Sequence, residues 1–276
     1  MSTTLGGKVA VVTGAGRGLG RAVACALAAR GAHVALVARS AEQLQETGRR
    51  IADQGGAARA IPSDVSTPAG VATVKAEVER HLGAPSILVN AAGVFGPVQL
   101  IRDSDAGRWI ETLMINTVGP YLTCRAFVGG MIAGGWGRIV NFSSAATLHP
   151  PGLLNSAYGT SKVALNQFTR HLAAELAGTG VTANVLHPGD VKTDMWAAIR
   201  DEADRLGPEG DGYRAWVRWV DETGGDPPHK AADLVLRLMD EEAAGVTGQF
   251  LWIEGGLQAP LPSWETPPGT RPWQEK

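Results

Sequence analysis

Tyr158 and Lys162 stand four residues apart in NSAYGTSKVALNQF, a spacing that puts a phenol and an ammonium on one face of a helix. An ammonium beside a phenol favours its ionised form, so the pair reads as a tuned proton donor and acceptor. Far upstream, Thr13 to Gly20 reads TGAGRGLG between an apolar strand and an amphipathic helix. Gly14, Gly18 and Gly20 permit a tight turn and close backbone approach, and the amides at the helix start favour a pyrophosphate. A proton-transfer pair joined to a dinucleotide platform points to redox chemistry on a carbonyl.

The end of the second strand bears on which dinucleotide is held. An NAD site normally offers an acid to the adenosine ribose there, roughly twenty residues beyond the glycines. This chain reads Ala38-Arg39-Ser40 instead. A guanidinium at Arg39 suits a 2′-phosphate, and Arg17 in the glycine turn is placed to reach the same group from the other side. The reading favours NADP(H) over NAD(H); the alternative makes either arginine a solvated surface charge.

The elements that must position these groups alternate along the chain. Apolar runs at Lys8–Val12, His33–Val37, Ala58–Ile61, Ile87–Val89, Arg138–Phe142, Val181–Leu186 and Phe250–Ile253 read as strands. Helical patterns separate them, among them Leu19–Arg30, Ala41–Gln54 and Val71–His81. Strands apolar on both faces and separated by helices imply a doubly wound α/β fold with a parallel sheet. With 276 residues, one domain over 1–256 is expected, followed by a Pro-rich tail over 257–276. The segment 193–225 is longer and richer in Trp than a simple crossover requires, and reads as a substrate loop or lid.

Composition sets further limits. A net charge of -2 provides no field for nucleic acid or an anionic membrane. The N-terminus lacks a secretory pattern, and Cys25 and Cys124 lie in helical runs as small apolar side chains do, which places the chain in the reducing cytoplasm. The six histidines show no metal-binding spacing.

With these motifs assembled, the chain resembles the short-chain dehydrogenase/reductase family across residues 8–256. The resemblance rests on TGAGRGLG, Asp64-Val65, NAAG at Asn90 to Gly93, Asn116 in MINTVG, Ser144 in NFSS, YGTSK at Tyr158 to Lys162, HPGDVKT at His187 to Thr193, and TGQFLWIEGG. It implies a seven-stranded Rossmann-like sheet, a nicotinamide cofactor and a centre of Asn116, Ser144, Tyr158 and Lys162. Cofactor contacts are implied at Gly14, Arg17, Gly18, Leu19, Gly20, Arg39, Asp64, Val65, Asn90, Ala91 and Gly93. Further contacts are implied at Tyr158, Lys162, Pro188, Gly189, Val191 and Thr193. Two features depart from the family pattern: Ala91 replaces a frequent asparagine, and Ser144 lies fourteen residues before Tyr158, leaving Ser143 as a competitor.

The implied chemistry is NADPH-dependent reduction of a ketone or aldehyde, with Tyr158 as proton donor, Ser144 holding the substrate oxygen and Asn116 serving a proton relay. Phe95, His149, Leu153, Leu154, Met195 and Trp196 are candidate pocket residues for a largely apolar small molecule. NAD-linked alcohol oxidation is the near rival, and a non-catalytic NADP-binding sensor the rival from another class. The resemblance also implies a homodimer or homotetramer formed through the helices around Tyr121 to Ile132 and Ala157 to Ala177.

Overall fold

The computed structural model describes residues 4–148 and 151–254. Its strands are β1 (Val9–Thr13), β2 (His33–Ala38), β3 (Ala57–Pro62), β4 (Ile87–Asn90), β5 (Gly137–Phe142), β6 (Val181–His187) and β7 (Phe250–Trp252). They form one parallel sheet in the order β3-β2-β1-β4-β5-β6-β7. The helices are α1 (Gly18–Ala29), α2 (Ala41–Asp53), α3 (Pro68–His81), α4 (Ala106–Leu113), α5 (Gly119–Ala133), α6 (Ser156–Glu175), α7 (Asp194–Ala203), α8 (Asp211–Thr223) and α9 (Pro228–Met239). This is the doubly wound α/β fold that the alternation predicts. No helix among the described residues is long and apolar enough to cross a membrane.

Both faces of the sheet are covered, so the central strands are apolar on each side. Ala10 and Val12 of β1 pack with Leu27 of α1 and Val235 of α9, whereas Val11 packs on the other face with Val74, Phe127 and Leu172. The period of two along one strand thus feeds two separate layers. Truncating a side chain as enclosed as Leu27 costs about 2–5 kcal/mol.

Two features position the site. The strand order reverses at β1, whose neighbours are β2 and β4, so the loops leaving β1 and β4 diverge and open a crevice at their C-terminal ends. Between β4 and β5 the helical path is interrupted: α4 ends at Leu113, Met114–Val118 form a π-helical turn, and α5 resumes at Gly119. The segment 193–225 is built as α7 and α8, packed on each other around Trp196, Val217 and Val220. The tail over 257–276 lies outside the described residues.

Candidate active site

Gly14 leaves β1 with a φ of 68°, and a β-carbon there would stand 2.8 Å from the Ala91 carbonyl oxygen. Ala91 thus meets the turn through its backbone, which a small side chain permits. At Gly20 an added β-carbon would collide with the Gly14 carbonyl, so the first turn of α1 lies directly against the strand end. No side chain caps α1 and its first turn carries no acid. Its initial amides therefore suit an anion, and the adjoining cleft of about 760 Å³ has the size of a small-molecule site.

The cleft is lined by the expected Gly18, Leu19, Arg39, Asp64, Val65 and Gly93. The Ser66 hydroxyl, donating at 2.7 Å, and the nearby Arg39 guanidinium hold the Asp64 carboxyl below the usual range. Arg17 also lines the cleft, but its Nη1 donates to Asp194 Oδ2 at 2.6 Å instead of extending toward Arg39. Of the two arginines expected at one phosphate, Arg39 is exposed at the cleft and Arg17 is engaged by a carboxylate. Asn90 also differs from expectation, because its side chain belongs to the core. Its Nδ2 donates to Asn141 Oδ1 at 2.9 Å and its Oδ1 accepts from Thr123 at 2.8 Å, so the amide is spent within the core and the cleft wall begins at Ala91.

At the opposite end, β6 runs into Pro188, Gly189 and Asp190. Gly189 has a φ of 82°, and an added β-carbon would strike Asp226 and Ile253. The Asp190 amide donates to Asp226 Oδ2 at 3.0 Å, while the Asp226 amide donates to the Asp190 carbonyl at 2.9 Å. Val191 is buried beyond this brace, and the Thr193 hydroxyl accepts from the Trp196 amide, capping α7. The Thr193 methyl carbon lies 3.6 Å from where Gly18 would carry a β-carbon, so the two lips of the cleft approach there.

Ser144, Tyr158, Lys162 and Asn116 come together where β4, β5 and α6 meet the π-turn. The Ser144 hydroxyl lies beside the Tyr158 phenol and favours its ionised form. Ser143 turns away and donates to Asn166, whose Nδ2 in turn donates to Thr147 at 2.9 Å, fixing the loop that carries Ser144. The Asn116 amide grips Val94 from both sides, with Nδ2 donating to its carbonyl at 2.8 Å and Oδ1 accepting from its N–H at 2.9 Å. A β-carbon on Gly93 would sit 3.3 Å from Asn116 Oδ1 and 3.7 Å from Lys162 Nζ, so glycine lets both approach the same backbone.

The Tyr158–Lys162 relation departs from the simple picture of an ammonium against a hydroxyl. Lys162 Nζ donates to the Phe142 carbonyl at 2.7 Å and lies 5.6 Å from the centre of the Tyr158 ring. Burial brings the Lys162 ammonium down to about 8 and pushes the Tyr158 phenol up, opposed by Ser144 and reinforced by Asp190. Desolvation is therefore the largest influence on both groups and favours the neutral phenol.

The candidate substrate residues divide. Phe95 stacks on Tyr158 with ring centres 4.6 Å apart. Leu154 is buried with a φ of 71° and its carbonyl accepts from the Gln99 amide, whereas Leu153 is exposed. Met195 lines the nucleotide cleft. Trp196, expected in the substrate pocket, is packed with Val217 and Val220 between the cations of Lys192 and Arg200. An indole at the start of a helix pair supplies its core before it can line a pocket. His149 lies outside the described residues.

Sequence reading missed Tyr213 and Asn155. Tyr213 of α8 meets Phe95 edge to face at 5.9 Å and lies beside Asn155. The spacing of Tyr213, Trp216, Val217 and Val220 at i, i+3, i+4 and i+7 was the available signal.

The family model described as short chain dehydrogenase matches residues 8–204. The chain belongs to the short-chain dehydrogenase family. As a member it is an NAD(P)-dependent oxidoreductase acting on CH–OH and C=O groups. It is 38% identical over 251 residues to the short-chain reductase protein NovJ of Streptomyces niveus, covering 90% of this chain and 93% of the relative. Among solved structures, actinorhodin polyketide ketoreductase with NADPH matches with a TM-score of 0.82 and 30% identity, over 93% of this chain and 98% of that one. NAD+-bound xylitol dehydrogenase matches with a TM-score of 0.81 and 27% identity, over 91% of this chain and 99% of that one. This short-chain dehydrogenase is thus similar to proteins that hold either nicotinamide cofactor.

Proposed function

We propose that the protein is an NADPH-dependent reductase of ketones or aldehydes, reversible as an alcohol dehydrogenase. The observation that carries this reading is the gathering of Ser144, Tyr158 and the buried Lys162, whose Nζ lies 5.6 Å from the Tyr158 ring centre, beside a cleft with Arg39 at its nucleotide end. Bound NADPH supplies the hydride. Ser144 holds the substrate oxygen and Tyr158 delivers a proton to it as charge develops there. A phenol kept protonated by burial suits that direction.

Lys162 retains two N–H donors beyond the one given to Phe142, and these suit the nicotinamide-ribose hydroxyls. Asn116 has its side-chain amide committed to Val94 and Ser161, so its part in the proton relay falls to the main-chain carbonyl of the π-turn. Gly14, Gly18, Leu19 and Gly20 would hold the pyrophosphate, Asp64 and Val65 the adenine, and Gly93, Pro188, Gly189, Val191 and Thr193 the nicotinamide. The backbones of Asn90 and Ala91 would close the inner wall. Arg39 would hold the 2′-phosphate, with Arg17 as a second cation when not paired with Asp194. The rival, NAD-linked alcohol oxidation, draws support from the engagement of Arg17 by Asp194.

A screen of cofactor oxidation across ketones, quinones, 3-oxoacyl thioesters and sugars, run with NADPH and NADH, tests this reading. Turnover with NADPH at least tenfold above NADH is expected; NADH-preferring turnover favours the rival, and no turnover across the panel overturns the reading. Exposed Tyr121, Ile132 and Val163 on α5 and α6 support a homodimer or homotetramer. The free thiols of Cys25 and Cys124 fit a cytoplasmic setting.

A further inference from the structure

Three ties fix α8 beside the catalytic centre. Val217 and Val220 close on Trp196 of α7. Trp216 Nε1 donates to Asp190 Oδ1 at 3.0 Å, joining α8 to the loop after β6. Arg214 donates to the carbonyls of Ala203, Leu206 and Gly207 at 2.7, 2.9 and 2.8 Å, pinning the start of α8 to the end of α7.

Tyr213, on the same helical stripe, is left facing the reactive groups. Its ring meets Phe95 at an interplanar angle of 87°, and Phe95 itself stacks on Tyr158 at 29°. The Tyr213 phenol lies beside the side chain of Asn155. Asn155 occupies the N-cap position of α6, the helix of Tyr158 and Lys162, yet makes no capping bond. Both Phe95 and Tyr213 remain part-exposed, so their apolar surface is not used up by the core.

We propose that Phe95 and Tyr213 form a right-angled aromatic corner that selects substrates whose reacting carbon lies in or on a planar ring, with Tyr213 as the specificity-determining residue. The proposal rests on Tyr158 being the proton donor to the substrate oxygen. A flat ring meets one wall by its face and the other by its edge, the two arrangements that aromatic quadrupoles favour. A saturated ring of the same skeleton presents axial hydrogens to both walls and gains neither. Packing on Phe95 and the ties of α8 set the tilt of Tyr213, so selection depends on an oriented ring and not on its hydroxyl.

The test is calorimetric binding of 2-naphthol and trans-2-decalol, flat and puckered forms of one fused skeleton, to the protein–NADPH complex, in which an alcohol has no oxidant. The wild type is expected to bind 2-naphthol about tenfold more tightly, the scale of an aromatic pair. Tyr213→Phe keeps most of that ratio, and Tyr213→Leu brings it to about twofold or less if the missing term is the aromatic pair. Phe95→Leu predicts the same loss from the other wall, so misfolding of one variant leaves the other to decide. A wild-type ratio near one, or a ratio unchanged in the leucine variants, overturns the proposal. Because binding is read without turnover, failure of the reductase reading would appear separately, as absent cofactor oxidation with every carbonyl while the ratio and its loss persist.

Discussion

Ser143 donates to Asn166 in the core, whereas adjacent Ser144 lies beside the Tyr158 phenol. Neighbouring side chains on an extended segment point to opposite sides, so one serine reaches the centre and the other anchors the loop. Ser144→Ala is expected to lower kcat by about 100-fold or more, as loss of an oxyanion donor does. Ser143→Ala leaves Asn166 short of a partner and costs about 1–3 kcal/mol of stability. Cofactor-oxidation rates and thermal melts of the two variants distinguish them; a larger kcat loss in Ser143→Ala would reverse the assignment.

Asn116 is fully buried and satisfies both backbone groups of Val94. Asn116→Ala strands a donor and an acceptor together, so a loss of about 2–5 kcal/mol in unfolding free energy is expected. Denaturant unfolding checks this; a loss under about 1 kcal/mol, the scale of a single exchangeable hydrogen bond, would mean that water replaces the amide.

Lys162 has its ammonium lowered by burial from 10.5 to about 8. Below pH 8 both folded and unfolded chains are protonated, and the folded state bears the full cost of the buried charge. Between 8 and 10.5 the unfolded chain holds a proton that the folded one has released, so stability rises with pH. At 1.36 kcal/mol per unit, the cofactor-free protein should gain about 3 kcal/mol across that window relative to Lys162→Met. Urea unfolding at pH 7 and pH 10 measures it; an unchanged difference would show that the ammonium is not desolvated.

Arg17 is paired with Asp194 across the cleft mouth, and both side chains are more than half exposed. Asp194→Asn frees the guanidinium and should tighten NADPH about three- to tenfold, within the range of a surface charge-assisted hydrogen bond, while leaving NADH unchanged. Arg39→Ala should weaken NADPH about tenfold by the same reasoning. Fluorescence titration reads both. Unchanged NADPH preference in Arg39→Ala and Arg17→Ala would remove the basis for the cofactor assignment.

Much of this organisation is written locally. The alternation of Ala10, Val11 and Val12 foretells two covered faces, and TGAGRGLG marks the crevice because its glycines answer to steric limits within the turn itself. The one-turn spacing of Tyr158 and Lys162 is also local. What stayed hidden depends on partners distant in sequence: Asp194 reaches Arg17 across 177 residues, and Lys162 turns to the end of β5. MINTV fits an ordinary helix, so the π-turn at Asn116 has no local signature. Trp196 was ambiguous because an indole suits a pocket and a small core equally. The Tyr213 stripe was legible as periodicity, but its direction was set by Arg214 and Trp216.

The central claim, that Tyr158 completes a hydride transfer to a carbonyl, is tested most directly by following deuterium from 4-deuterated NADPH, both epimers at C4, into the alcohol formed from a reduced substrate. Wild type should place deuterium on the carbinol carbon. Tyr158→Phe should bind NADPH within about threefold of wild type, since one phenol hydroxyl is lost, yet transfer label at least 1,000-fold more slowly, the scale of a lost general acid. Label transfer at the wild-type rate in Tyr158→Phe, or product formed by the wild type without label from either epimer, would contradict it.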